Sequence, residues 1–178
     1  FERADSMSCA GAGLNMIATA NTRDRGVNEM SADLKRRLNF ETVFPIPDFK
    51  TELALVKSQS AKMLAEAGVP MVPPDAILEV LVRAFRELRT GESEDGAAMD
   101  RLSSVMSTAE AVSVAFSMGV RGHYIRDGKC TGEDLVHCLA GAAVKDNLED
   151  LKKLRRYIEQ RPGKRTENPC TEVPTTHI

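Results

Sequence analysis

The stretch NMIATANTRDRGVNEMSADLKRRLNFETVFPI, residues 15–46, contains the most informative pattern in the chain. A run of small and apolar residues stops at Asn21 and is followed by a charged loop. Arg36 and Arg37 then stand directly before a second apolar run. Short apolar runs are compatible with buried strands, and Gly and Asn between them are typical of loops. The stretch therefore predicts a strand, a loop, a short helix and a second strand, in that order.

The predicted elements of this stretch have recognisable ends. The first strand covers Leu14–Ala20. Ser31 caps the short helix, which carries Asp33 in its first turn and basic residues at its end, the arrangement that the helix dipole favours. The second strand, Glu41–Ile46, is rich in β-branched and aromatic residues and is closed by Pro45 and Pro47.

From Asp48 onward the sequence is helical in pattern. Asp48 is a good N-cap for a helix that Gly68 ends, and the prolines of residues 70–74 form a stiff linker. A second helix before Gly91 has the clearest apolar stripe in the chain, at helical spacing. This stripe consists of Ile77, Leu78, Leu81, Val82, Phe85 and Leu88.

Two capping-box patterns mark further helix starts. Ser107 with Glu110 begins one helix, and Thr131 with Asp134 begins another. The second of these is predicted as one long helix carrying Leu135, Leu139, Leu148, Leu151, Leu154 and Ile158. From residue 161 onward, prolines and the absence of an apolar period predict an extended tail.

Composition excludes several classes of protein. The 178 residues carry a formal net charge of −2, which argues against wholesale binding to nucleic acid or to anionic lipid. The basic stretch KKLRRYIEQRPGKR, residues 152–165, is interpreted as a solvated helix face. No window approaches the ~18 apolar residues that cross a membrane, and no signal-peptide pattern is present. We expect a cytoplasmic protein that binds neither nucleic acid nor membrane.

The cysteines do not predict a metal site. Cys9, Cys130, Cys138 and Cys170 lack CxxC spacing and are expected to be reduced thiols. A metal set would need both His137 and Cys138, together with His123 and Cys130. Adjacent residues of a helix diverge by ~100°, so His137 and Cys138 cannot easily share one ion.

The order of elements in residues 15–46 resembles the second half of an AAA+ ATPase, most closely the MoxR-like branch. The segment IATANTRDRG is similar to the sensor-1 strand of this family, in which the terminal Asn, here Asn21, positions the attacking water. The segment SADLKRRLNF is similar to the family's L-x-x-R-F segment, which carries the arginine finger. This alignment places the finger at Arg37, with Arg36 as the neighbouring alternative.

The resemblance implies an α/β plus α fold. Residues 1–69 would be the C-terminal part of a P-loop AAA+ α/β core with two short strands. Residues 70–160 would be an all-helical lid bundle, and residues 161–178 an extended tail. The resemblance covers residues 14 to 160, and after residue 46 it concerns the architecture alone.

The implied chemistry is hydrolysis of ATP, with Mg²⁺, in the intact parent protein. An Asn amide both donates and accepts hydrogen bonds and can hold a water, and a guanidinium offers a planar fork of donors to phosphate oxygens. In this family the finger acts on the nucleotide of a neighbouring subunit, which implies a ring, with a hexamer as the expected form. The resemblance also implies a client protein and a von Willebrand factor A-domain partner.

The chain departs from the family pattern in two places. It contains no G-x-x-x-x-G-K-[ST] motif, and Ala97 and Ala98 follow the nearest glycine pair. No apolar run ending in Asp-Glu precedes Asn21, so we expect a fragment that is inactive alone and holds no nucleotide tightly. In addition, Ala109 or Glu110 stands where many AAA+ lids carry an Arg, and no lid residue is assigned to the nucleotide.

Two other hypotheses remain open on the sequence. The chain can be a non-enzymatic helical interaction module whose strands support the bundle. It can also be a regulatory subunit that lends Arg37 in trans to a complete ATPase. A P-loop encoded upstream of Phe1 would separate the module from the ATPase.

Overall fold

The computed structural model describes residue 17 and residues 32–103, 106–145 and 147–160 of the chain. These residues form six helices. They are α1 (Ala32–Lys35), α2 (Phe49–Glu66), α3 (Asp75–Thr90), α4 (Thr108–Ile125), α5 (Gly132–Ala143) and α6 (Leu148–Gln160). Contacts divide the chain into residues 1–41 and residues 42–178. Helices α2–α6 lie in the second unit and form a helical bundle.

The predicted short helix after Ser31 is confirmed as α1, whose first turn carries Asp33. The predicted strand Glu41–Ile46 is wrong, because these residues are irregular. A strand is stabilised by hydrogen bonds to a neighbouring strand, and within the described ranges the only bridge joins Glu92 to Ala98. The other predicted strand, Leu14–Ala20, lies outside the described residues except for Ile17, which is exposed and not in a strand.

Helix α2 begins as predicted. The Thr51 amide donates a 2.7 Å hydrogen bond to Oδ2 of Asp48, which satisfies one of the amides left without a partner in the first turn. The helix ends at Glu66, and Gly68 follows with a φ of +70°, a conformation that glycine adopts without steric cost. Leu53, Val56 and Leu64 are buried.

The apolar stripe of α3 is the centre of the bundle. All six predicted stripe residues are buried, and Leu78, Leu81, Val82 and Phe85 have no exposed surface. They pack with apolar side chains of α2, α4, α5 and α6 in one core. Burial of this one broad stripe is the main reason why the helices assemble, since burying each large apolar side chain stabilises the fold by about 1.5–3 kcal/mol.

Small residues of α4 allow a close approach by α2 and by the linker that follows it. A Cβ added at Gly119 would lie 2.7 Å from both methyl carbons of Leu64 and 3.0 Å from the carbonyl oxygen of Met71. A Cβ at Gly122 would lie 2.7 Å from the sulfur of Met71. The two glycines therefore create the space that the linker occupies.

The long helix predicted from Thr131 is wrong, because the chain forms two helices there. Val144 is extended, with φ −102° and ψ 104°, and α6 starts afresh at Leu148. The Oδ1 atom of Asn147 accepts a 3.0 Å hydrogen bond from the Glu149 amide and so caps the new helix. The turn brings Leu154 and Tyr157 into the core, whereas Leu148 and Leu151 of the predicted stripe are exposed.

The division of the chain into residues 1–69, 70–160 and 161–178 stays a prediction about its organisation. By packing, α2 lies in the same unit as α3–α6. Across the described ranges, no helix has the length and hydropathy that crossing a bilayer requires.

Candidate functional site

The two predicted finger residues are described, and the predicted sensor residue is not. Arg36 and Arg37 form the turn that follows α1, and both side chains are exposed. Arg36 Nη1 lies 4.0 Å from Oδ1 of Asp33, and both side chains are at least 80% exposed, so this pair contributes little to stability. Asn21 lies outside the described residues, so its distance from the arginines is not given by the structure.

The most highly organised polar site is a buried carboxylate in the bundle. Glu52, in the first turn of α2, has no exposed surface. Arg89 donates to it through both terminal nitrogens over 3.0–3.2 Å, and Arg86 Nη1 donates to its Oε2 over 3.0 Å. The hydroxyl of Thr108 donates to Oε1 over 2.7 Å. The carboxylate therefore joins the start of α2, the end of α3 and the start of α4.

The two arginines also bind backbone carbonyls beyond this carboxylate. Arg89 Nη1 donates to the carbonyl oxygen of Met106 over 3.0 Å. Arg86 donates to the carbonyl oxygens of Ile46, over 3.2 Å, and Pro47, over 2.7 Å. The charged site thus holds the segment before α2 and the segment before α4 against the end of α3.

The hydrogen bonds keep Glu52 ionised. Burial by itself raises the pKa of this carboxyl, but donation by Arg89, Thr108 and Arg86 outweighs burial and holds the pKa below its ordinary value of 4.5. This site was not predicted, although the sequence contains a signal for it. Glu52 precedes Val56 by four residues, and Arg86 follows Val82 by four. These charges therefore lie on the apolar faces of their helices.

The start of α4 has no arginine of its own. Ala109 is exposed, and Glu110 closes the predicted capping box by accepting the Ser107 amide, over 2.8 Å. The Ser107 hydroxyl in turn accepts the Glu110 amide. Glu110 also pairs with Lys145. The guanidinium that reaches this end of the bundle belongs to Arg89 of α3, and it is bound to Glu52 and to the carbonyl of Met106.

A second buried carboxylate holds α5 against the end of α4. Asp134 accepts hydrogen bonds of 2.9 Å from both the amide and the hydroxyl of Thr131, which confirms the second capping box. Its Oδ1 accepts a 2.8 Å hydrogen bond from Arg121 and lies 3.4 Å from Arg126 Nε. Burial raises the pKa of Asp134, but these partners outweigh burial and lower it below 3.8. The cluster is an internal ion pair with a capping function.

An open groove of about 540 Å³ lies between α4 and α5. Its walls are mostly apolar and include Phe116, Val120 and Tyr124 from α4, with Gly141 and Ala142 from α5. A groove with these walls has the shape and chemistry that accept an apolar side chain or helix face.

The thiols and histidines of the described ranges do not form a metal site. No group of three His, Cys, Asp or Glu side chains in these ranges could hold an ion. Burial raises the pKa of Cys130 to about 11, so this thiol is protonated at neutral pH. His123 packs edge to face against Tyr124, with ring centres 4.6 Å apart.

Comparison with known families gives the class of this bundle. The model of the YehL-like AAA+ ATPase C-terminal domain matches residues 50–172, from the first turn of α2 to beyond α6. The matched range is more than half of the chain, and the chain therefore belongs to this family. The predicted AAA+ relationship is confirmed at this level. Helices α3–α6, within the predicted lid of residues 70–160, are consistent with it, whereas α2 falls in the range that was predicted as core.

A particular relative is similar over most of the chain. YehL of Escherichia coli strain K12 is 60% identical over 149 residues, which are 84% of this chain and 41% of YehL. The chain thus spans less than half the length of this relative. No solved structure matches the chain.

Proposed function

We propose that the chain acts as the sensor and lid part of a MoxR-like AAA+ ATPase, which couples ATP hydrolysis to remodelling or maturation of a client protein. One observation carries the proposal. A bundle of the AAA+ C-terminal family directly follows a segment with a particular sequence pattern. This pattern consists of a strand that ends in Asn, a charged loop, a short helix and paired arginines, in that order. The P-loop and the acidic Mg²⁺-binding strand are supplied by the rest of the ATPase.

The proposed roles follow from the chemistry of phosphoryl transfer. Asn21 orients the attacking water against the γ-phosphate of ATP, which is bound with Mg²⁺. Arg37, or Arg36 in its place, neutralises charge on the phosphoryl group of a neighbouring subunit. A finger of this kind accelerates hydrolysis by ~10³–10⁵. The exposure of both arginines supports this role, since a finger must reach a nucleotide held by another molecule.

The proposal also defines the assembly. A finger that acts in trans requires a ring, and we propose a hexamer in the cytoplasm, where ATP is available. A von Willebrand factor A-domain protein is the proposed partner in client recognition.

The test is the ATPase activity of the native protein in full, purified as wild type and as three variants. Arg37→Ala is expected to reduce kcat by ~10³ or more while nucleotide binding is retained. Asn21→Ala is expected to abolish hydrolysis, also with nucleotide binding retained. Arg155→Ala, which removes an exposed arginine of α6, serves as the matched control and is expected to leave kcat unchanged. Mixing Arg37→Ala subunits with Asn21→Ala subunits is expected to restore part of the activity, because an Asn21→Ala neighbour supplies a normal Arg37 to the site of an Arg37→Ala subunit, whose own Asn21 is intact.

Full activity of Arg37→Ala would move the finger to Arg36, and full activity of Asn21→Ala would remove the sensor role. A native protein that neither binds nor hydrolyses ATP would favour a non-enzymatic interaction module, for which the apolar groove between α4 and α5 is the binding surface. A chain that binds no ATP but raises the rate of an intact homologue would instead be a regulatory subunit.

A further inference from the structure

Arg86 binds the segment that leads into the bundle. The segment of residues 42–47 precedes α2 and is irregular, and Val43 and Phe44 within it are 89% and 77% exposed. Two hydrogen bonds join its end to α3, in which Arg86 donates to the carbonyl oxygens of Ile46 and Pro47 over 3.2 and 2.7 Å.

The chain is stiff where Arg86 holds it. Pro45 and Pro47 fix their own φ angles, and the residues before them, Phe44 and Ile46, are restricted to extended conformations. Rotation of the backbone is therefore limited over residues 44–47. Two hydrogen bonds at the end of this stiff segment therefore hold the direction of residues 44–47.

The buried carboxylate of Glu52 depends less on Arg86 than on Arg89 for its hydrogen bonds. Both oxygens of Glu52 accept hydrogen bonds from Arg89, and Oε1 also accepts one from Thr108. The Arg89 side chain is 11% exposed, whereas that of Arg86 is 28% exposed and lies at the edge of the site. Loss of Arg86 thus leaves the buried carboxylate with partners.

We propose that Arg86 is a clamp, a positioning residue that sets the direction of residues 44–47 against the bundle. The contacts that support the clamp lie within residues 42–178, and the clamp does not rest on the proposed function.

The test measures ¹⁵N relaxation on the chain of residues 1–178. In the wild type, the order parameters of the Phe44 and Ile46 amides are expected near the rigid value of ~0.85. In Arg86→Gln they are expected below ~0.6, with the α2–α6 amides unchanged. Arg83→Gln is the matched control. The guanidinium groups of Arg83 and Arg86 each lie 6.0 Å from the centre of the Phe49 ring. Arg83, however, pairs with Glu94 rather than with the carbonyls of Ile46 and Pro47.

Order parameters below ~0.6 in the wild type, or unchanged values in Arg86→Gln, would overturn the clamp. Arg86→Lys provides a second variant in case the glutamine variant fails to fold. Lysine keeps the charge beside Glu52, but an ammonium lacks the planar fork that reaches two carbonyls and a carboxylate together. The same loss of order is expected in this variant, and retained order would contradict the proposal.

Discussion

Arg89 donates three hydrogen bonds of 3.0 to 3.2 Å to the carboxylate of Glu52, and the two residues lie 37 positions apart in the chain. The carboxylate is fully buried, and the guanidinium also holds the carbonyl of Met106. One ion pair thus connects the starts of α2 and α4 to the end of α3. Its geometry leads to the first of four predictions.

Arg89→Leu is expected to lower the free energy of unfolding by about 3–5 kcal/mol, because it leaves much of a buried carboxylate uncompensated. Urea unfolding followed by circular dichroism measures the change. Arg155→Leu is the matched control, since Arg155 pairs with Glu159 on the exposed face of α6. That pair is expected to contribute less than about 1 kcal/mol. Equal losses in the two variants would contradict a structural role for the buried pair.

Stability is expected to fall at acidic pH. The pKa of Glu52 lies below 4.5 in the folded chain and that of Asp134 below 3.8. As the pH drops through these values, the unfolded chain therefore binds more protons than the folded chain. The contribution of both carboxylates is therefore complete above about pH 5 and is lost as the pH falls toward their folded pKa values. Each group contributes a slope of at most about 1.4 kcal/mol per pH unit.

Urea unfolding at several values between pH 6 and pH 3 tests this expectation. Glu52→Gln, which cannot titrate, is expected to be less stable than the wild type at pH 6 but to lose less stability on acidification. Equal losses of stability on acidification in the two proteins would show that Glu52 does not contribute to the pH dependence.

Tyr157→Phe is expected to cost about 1–3 kcal/mol, because it removes the hydroxyl that donates a 2.7 Å hydrogen bond to the buried Oε2 of Glu87. This contact joins α6 to α3. Tyr124→Phe is the control, since Tyr124 is 68% exposed and its hydroxyl is accessible to water. Thermal unfolding of both variants, compared with the wild type, measures the difference. A neutral Tyr157→Phe would mean that water replaces the lost donor.

Two glycine-to-alanine substitutions are expected to have opposite effects. Gly119→Ala places a Cβ 2.7 Å from the methyl carbons of the buried Leu64, and overpacking of this kind costs about 1–3 kcal/mol. Gly141→Ala, within α5, meets no atom within 4 Å. It is expected to stabilise the chain by up to about 1 kcal/mol, since alanine has the higher helix propensity. Urea unfolding of both variants gives the signs, and equal signs would contradict the packing described for α4.

The helix starts were predictable because their signals are local. The Asp48 cap and the capping boxes of Ser107 and Thr131 each depend on atoms within three residues, so the sequence contains all of the information needed. The stripe of α3 was predictable for the same reason, since its spacing alone identifies the buried face. The AAA+ relationship, which the family comparison confirms, was likewise predicted from the sequence. The signal was a pattern of strand, Asn, loop, helix and paired arginines, in that order.

The wrong predictions concern features that depend on distant residues. Glu41–Ile46 has the composition of a strand, but a strand requires a partner for its amides and carbonyls, and composition cannot provide one. The leucines from Leu135 to Leu154 continue one helical period, yet the chain turns between α5 and α6. The turn is favoured because it buries Leu154 and Tyr157 against helices that lie far away in sequence.

Local sequence therefore determined where α2, α4 and α5 begin and which face of α3 is buried. Tertiary structure alone decided the partner of Glu52, the break before α6 and the attachment of residues 46–47 to Arg86. The reason is physical. Caps and apolar stripes act over a few residues, whereas a buried charge is stable only where folding places its counter-charge, which here comes from another helix.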